Sequence, residues 1–258
     1  MNYSKTRIAP TPSGFLHLGN ILSFSITRTL ALQSGAKIFL RIDDLDRDRA
    51  EKRYIDDIFD TLDFLGIHWD EGPRNTQEFE KEYSQLHRME NYEQALRRLR
   101  DSAEIYACTC SRSEILSNSE DGSYPGTCRN LAIPLDTPNA CWRLSTTSAL
   151  PASMQDFIVR KKDGFPAYQL TSVIDDLYYG IDLIVRGDDL RDSTLAQQYL
   201  SEALGLDGFR AIGIYHHPLL LDSNGKKLSK TDGDTSIQWL RRQGFTPESI
   251  WSRLEAFK

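Results

Sequence analysis

Arg7 to Asn20 (RIAPTPSGFLHLGN) reads as strand, turn and helix in immediate succession, and that order points to an α/β architecture. Ile8 and Ala9 close a short apolar run. Pro10, Pro12 and Gly14 follow it, so no helix continues from the strand. From there Leu18, Ile21, Leu22, Ile26, Leu30 and Ala31 recur at helical spacing. A turn of this kind offers backbone N–H groups and a helix N-terminus to an anionic ligand. His17 stands at the turn and can donate a hydrogen bond to phosphate. The same residues also suit an ordinary loop with a capping histidine.

Further elements alternate along the chain. Lys37–Ile42 reads as a strand, Glu51–Leu65 as a helix, and Glu78–Leu99 as a longer charged helix. Tyr106–Cys128 is a cysteine-bearing excursion without periodicity. Cys141–Leu144 and Phe157–Arg160 read as short strands, Tyr168–Tyr178 as a helix and Leu183–Arg186 as a buried strand. Leu190–Leu204 reads as a helix and Ile212–Tyr215 as a last strand. Strands alternating with helices predict a parallel sheet in a Rossmann-like domain, with ligands at the strands' carboxyl ends. Arg7, Asp43 and Arg186 fall at such ends.

At 258 residues and 40% hydrophobic content, the chain can bury one substantial core with a small appendage. No apolar run approaches the roughly 18 residues of a membrane span, and Pro10, Pro12 and Gly14 interrupt any leader pattern. A cytoplasmic protein with no membrane partner is expected. The net charge of −6 does not favour nucleic acid, so RNA contact requires local basic patches. Arg97-Arg98-Leu99-Arg100, Arg160-Lys161-Lys162 and Arg241-Arg242 are the candidates, or simply solvated faces.

A second segment, Lys226-Lys227-Leu228-Ser229-Lys230-Thr231, stands near the other end. Together, in this order, the two segments resemble the HIGH-like and KMSKS-like signatures of class I aminoacyl-tRNA synthetases. Phe39–Asp46 (FLRIDDLD) is similar to the LRIEDTD element of the glutamyl branch, and Tyr168–Arg186 to the segment that holds the amino acid there. The resemblance runs from Arg7 to Thr231. Only a short segment follows Thr231, where relatives of that branch carry an anticodon-binding domain. That brevity and the cysteine excursion resemble the stand-alone glutamyl-queuosine tRNA(Asp) synthetases.

The resemblance implies a class I synthetase catalytic domain with flanking helices and a small zinc-binding insertion. Residues 1–104 and 145–231 would form its two halves, 105–144 the insertion, and 232–258 a short helical end without an anticodon-binding domain. It implies activation of L-glutamate by ATP with Mg²⁺, then transfer to queuosine on tRNA(Asp), by a monomer. His17 and Lys230 would be catalytic. Pro10, Gly14, His17, Gly19, Asn20, Lys227, Leu228, Ser229, Lys230 and Thr231 would bind ATP. Arg7, Thr11, Asp43, Tyr168 and Arg186 would bind glutamate, with arginines meeting carboxylates through paired hydrogen bonds. Cys108, Cys110, Tyr124 and Cys128 would hold a structural Zn²⁺. Three thiolates suit Zn²⁺ with one position to fill, and Cys141 is the rival of Tyr124 for it.

Departures from the pattern keep alternatives open. Asp43 stands where the glutamyl branch has Glu, and the glutaminyl branch has Asp-Asp, so glutamine competes as substrate. His17-Leu18-Gly19-Asn20 lacks a second histidine, and Thr231 replaces a serine. Charging of a tRNA 3′ end is one rival function. A non-catalytic sensor of glutamate or nucleotide is the other.

Overall fold

The computed structural model describes residues 2–102, 105–146, 150–220 and 236–255, and the chain divides into two compact units. The KMSKS-like segment Lys226–Thr231 lies outside the described residues.

The first unit comprises Met1–His87, Ile181–Asp188 and Gly213–Lys258. Its sheet is fully parallel: β1 (Lys5–Ile8), β2 (Lys37–Leu40), β6 (Leu183–Gly187) and β7 (Gly213–His217), in the order β2-β1-β6-β7. All four are short, and β2 (KIFL) and β6 (LIVRG) are mostly apolar, as strands covered on both faces are. Helix α1 (Leu18–Ser34) carries the chain from β1 to β2 and buries Leu18, Ile21, Leu22, Phe24 and Ala31. Ile26, expected in the core, packs only partly buried against it. Gly35 ends α1 in the left-handed conformation, where a Cβ would be strained. Helix α2 (Lys52–Phe64) adds Ile55, Ile58, Phe59 and Leu62 to the same core, and Ile237, Leu240, Ile250 and Leu254 close it from the chain's last helices. From β1 the chain crosses to β2 on one side, and from β6 to β7 on the other. The carboxyl ends of β1 and β6 therefore form the topological switch point, where open α/β sheets place ligands.

The helix expected over Glu78–Leu99 is broken. A π-helical turn at Phe79–Tyr83 ends at Ser84, whose backbone is extended (ψ 141°). Ser84 Oγ and the Gln85 N–H both donate to the buried Asp44 carboxylate, at 2.6 and 2.8 Å. That tertiary capture of the backbone outweighs the local helical pattern, and a regular helix resumes only at Met89–Ser102.

The second unit, Arg88–Gly180 and Asp189–Ile212, holds an antiparallel sheet of β3 (Ile105–Cys108), β4 (Cys141–Leu144) and β5 (Ile158–Arg160), in sequential order. The expected strand at Cys141 thus pairs on one side with β3, at the start of the excursion that showed no periodicity, and on the other with the strand expected at Phe157. Helices Tyr168–Tyr178 and Arg191–Ala203 pack together beside this sheet. Arg88 grips Asp175 through two bonds of 2.8 and 3.0 Å, the pair being 5% and 0% exposed. Tyr92 Oη donates to the same carboxylate at 2.6 Å. No described helix is long and apolar enough to cross a membrane.

Candidate active site and cysteine cluster

The turn after β1 is built around His17. Its extended backbone (φ −123°, ψ 170°) makes it the N-cap of α1. Its Nδ1 accepts the Gly19 N–H at 3.1 Å, while the His17 N–H donates to Asn20 Oδ1, also at 3.1 Å. This reciprocal pair satisfies donors that a helix start leaves orphaned. It also sets the tautomer. With Nδ1 accepting, the neutral ring carries its proton on Nε2, which is then a donor. Gly19 is needed here, since a Cβ at that position would lie 3.0 Å from His17 Cε1 and 3.1 Å from Nδ1. Capping and phosphate donation, posed as alternatives by the sequence, are compatible roles for the two ring nitrogens.

Other elements hold the turn in place. Asp57 on α2 is buried and accepts the Leu16 N–H at 3.0 Å; burial pushes its carboxyl up, that hydrogen bond notwithstanding. Ile237 N–H donates to Leu16 O at 2.8 Å, and Ser236 pairs with His17 in an antiparallel bridge. Ser236 is the first described residue after the KMSKS-like segment, and it is fastened to the turn that bears His17. Asp43 N–H donates to Pro10 O at 3.0 Å, joining the end of β2 to the same turn.

Four of the expected glutamate ligands sit on this unit. Arg7 lies in β1, buried, with Nη1 3.2 Å from Val185 O on β6. Thr11 is in the turn after β1, and Arg186 stands at the end of β6, only 3% exposed. Asp43 is buried after β2 and engaged bidentately by Arg41, at 2.7 and 3.1 Å. The fifth, Tyr168, opens its helix in the other unit and is 41% exposed. Sequence reasoning missed Arg41, Asp44 and Asp57. Asp57 could have been noticed as a carboxylate at an inward helical position, between Ile55 and Ile58.

In the second unit the sulfurs of Cys108, Cys110 and Cys128 lie within 4.8 Å of one another, with Cys110 and Cys128 3.5 Å apart. Tetrahedral Zn²⁺ with Zn–S bonds of about 2.3 Å spaces its sulfurs by roughly 3.8 Å, so the donor set fits that ion. The Tyr124 hydroxyl is at the same place. It accepts the Cys128 N–H at 2.8 Å and hydrogen-bonds Cys108. Arg143 stacks 3.6 Å above the Tyr124 ring. Cys141 stands outside the three-sulfur group, its Sγ directed at Cys108 O at 3.4 Å. The hydrogen bond from Cys141, against the opposing effect of burial, lowers the Cys108 thiol to about 3, with Tyr124 and Arg143 assisting. Burial and the Cys128 thiol push Cys110 up to about 12, and burial with Cys108 raises the Tyr124 phenol. A bound cation would release the ligands' protons.

A parallel sheet with a histidine-capped turn at its switch point is the place where open α/β folds bind ligands. The family model "tRNA synthetases class I (E and Q), catalytic domain" matches residues 4–130 and 142–257, and the chain belongs to that family of ligases. Within it, proteins named Glutamyl-Q tRNA(Asp) synthetase are 35–38% identical to this chain. That of Synechococcus sp. (strain CC9605) is 38% identical over 96% of this chain and 80% of its own length. Glutamate–tRNA ligase 2 of Syntrophus aciditrophicus is 32% identical, and this chain spans 57% of it. The fold matches the crystal structure of the glutamate-tRNA synthetase of Elizabethkingia anophelis with a TM-score of 0.77. That match has 23% identity and covers 98% of this chain and 61% of the solved one.

Proposed function

We propose that this protein activates L-glutamate with ATP and transfers the glutamyl group to queuosine at the wobble position of tRNA(Asp). The observation that carries the activation half is His17, fixed at the switch point as the N-cap of α1 with Nδ1 accepting the Gly19 N–H. The choice of acceptor is supported by the higher identity to glutamyl-Q tRNA(Asp) synthetases than to glutamate–tRNA ligases, 35–38% against 30–32%.

In the first step an oxygen of the glutamate α-carboxylate attacks the α-phosphorus of ATP. The bond to the bridging oxygen breaks, pyrophosphate leaves, and glutamyl-adenylate remains. In the second, a queuosine hydroxyl attacks the mixed-anhydride carbonyl and AMP departs with the bonding pair. The protein positions the reactants and stabilises developing charge. His17 Nε2–H and the backbone N–H of Gly14 cradle phosphates, in a turn that Pro10 and Gly19 shape. Asn20 acts through the capping box that holds His17. Lys230, within Lys227–Thr231 and outside the described residues, meets charge on the transferring phosphate. Mg²⁺, bound with ATP, would supply charge neutralisation at the phosphates. Arg7 and Arg186 take the carboxylates, Asp43 and Thr11 the ammonium, and Tyr168 completes the glutamate ligands. Arg41 holds Asp43 in its orientation. Cys108, Cys110 and Cys128, with the Tyr124 oxygen as fourth donor, would hold a structural Zn²⁺ that cross-links the excursion. The enzyme works as a cytoplasmic monomer.

The test is transfer of labelled glutamate, with ATP and Mg²⁺, to two tRNA pools, one containing queuosine and one from cells unable to make it. Label on the queuosine pool alone supports the assignment. Label on both pools means 3′-end charging, and label on neither leads to glutamine and then to a sensor; each of those overturns it.

A further inference from the structure

Two basic runs that are separate in sequence, Arg97–Arg100 and Arg160–Lys162, meet in the second unit. Arg100, Arg160 and Lys162 line one cleft of about 480 Å³, within the range of small-ligand sites. Asp136 is the one carboxylate among its lining residues. In a chain of net charge −6, three cations around one cleft make a local field that attracts anions.

The cleft also presents an aromatic ring. The indole N–H of Trp142 donates to Leu135 O at 2.8 Å, which fastens the loop 135–140 against the ring. Arg160 lies 5.0 Å above that ring. The same loop holds Asn139 in the left-handed conformation, at φ 58°, a local strain of the kind that clusters at ligand sites. The cations are only lightly committed. Lys162 donates to Thr109 O at 2.7 Å with further donors to spare, and Arg100 pairs with its neighbour Asp101 in an exposed bridge of little worth. A stacking ring among cations in an open groove is the chemistry that holds unstacked nucleotides of RNA.

We propose that this cleft is an RNA subsite. Arg100, Arg160 and Lys162 contact backbone phosphates, and a base stacks beside Trp142. The proposal rests on tRNA being the macromolecular substrate, and it adds a place where the second unit grips that RNA.

Anisotropy of a fluorescein-labelled tRNA(Asp) transcript, titrated from 50 to 200 mM salt, tests it. The double variant Arg160→Gln/Lys162→Gln is expected to bind about tenfold more weakly. Its log–log salt slope should be shallower by one to two, as loss of one or two phosphate contacts requires. Trp142→Leu should weaken binding by about tenfold at unchanged slope, and Trp142→Phe should retain most of the affinity. Circular-dichroism melts matching wild type exclude misfolding, and a misfolded Trp142→Leu leaves the charge variant and Trp142→Phe to decide. Wild-type affinity and slope in the charge variant would overturn the site. So would poly-L-glutamate competing as well as RNA at equal charge, which marks an acidic-peptide surface instead. Pyrophosphate exchange separates this from the functional reading, because adenylate formation involves no RNA. Each variant should exchange at the wild-type rate. Absence of exchange in the wild-type protein would sink the activation chemistry while leaving the RNA comparison intact.

Discussion

Replacing His17 with asparagine separates the two tasks of that residue. As the N-cap of α1 it satisfies the Gly19 N–H. Asn is among the best N-cap residues, whereas loss of a cap to Ala costs about 1 kcal/mol. His17→Asn should therefore keep the fold, with a melting shift under about 4 °C, since 1 kcal/mol moves Tm by roughly 2–4 °C at this size. What Asn cannot reproduce is the donor at Nε2, on the far side of the ring from Nδ1. Losing one preorganised donor to a charged transition state costs about 2.7–4 kcal/mol, roughly 10²–10³ in rate. Glutamate-dependent ATP–pyrophosphate exchange at saturating substrates reads the rate, and a thermal melt reads the fold. An exchange rate within threefold of wild type would reduce His17 to a cap and refute the reasoning. Gly19→Ala probes the same geometry from the other side. Its Cβ, 3.0 Å from the ring, must shift His17 by a few tenths of an ångström. The better helix propensity of Ala offsets part of the strain, so exchange should fall at least tenfold while Tm stays close to wild type.

In the cysteine cluster, Cys108→Ser and Cys128→Ser should lose bound zinc measured by atomic emission, while Cys141→Ser, outside the three-sulfur group, should retain it. Retention in the first two would remove the zinc assignment. Tyr124→Phe should keep the fold but release zinc to a chelator more readily than wild type. Asp175→Asn leaves Arg88 buried beside a neutral partner, which should cost about 3–5 kcal/mol and lower Tm by about 10 °C. Asp57 supplies a pH dependence. Its carboxyl titrates higher folded than unfolded, so its stabilising contribution is full below its ordinary value near 3.8 and is lost as pH rises through the raised value. Asp57→Asn keeps an acceptor for Leu16 N–H without that loss. Urea titrations should show the variant gaining stability relative to wild type between pH 4 and pH 7. A constant difference would mean that Asp57 is not the titrating group.

The local elements around the site were legible because their signals are local. Proline and glycine punctuation ended β1, and the spacing from Leu18 to Ala31 announced α1. The candidate cysteines could be named from spacing and resemblance, because thiols lie closely spaced along the chain. Residue types, however, do not say which of two chemically suitable partners a group reaches. The sequence preferred Tyr124 as fourth donor and kept Cys141 as its rival; in the fold, the pairing of Cys108 with Cys141 directs the Cys141 thiol at the Cys108 carbonyl. The helix written into Glu78–Leu99 yields at Ser84 to Asp44, a carboxylate 40 residues earlier in the chain. Along the chain the basic runs at Arg100 and Arg160 are two separate candidates for RNA contact or solvated faces, and only the fold brings them to one cleft. Hydrogen bonding and hydrophobic periodicity act over a few residues and are printed along the chain. Buried charges and shared clefts depend on which distant segments desolvate one another, and that is decided only when the chain closes on itself.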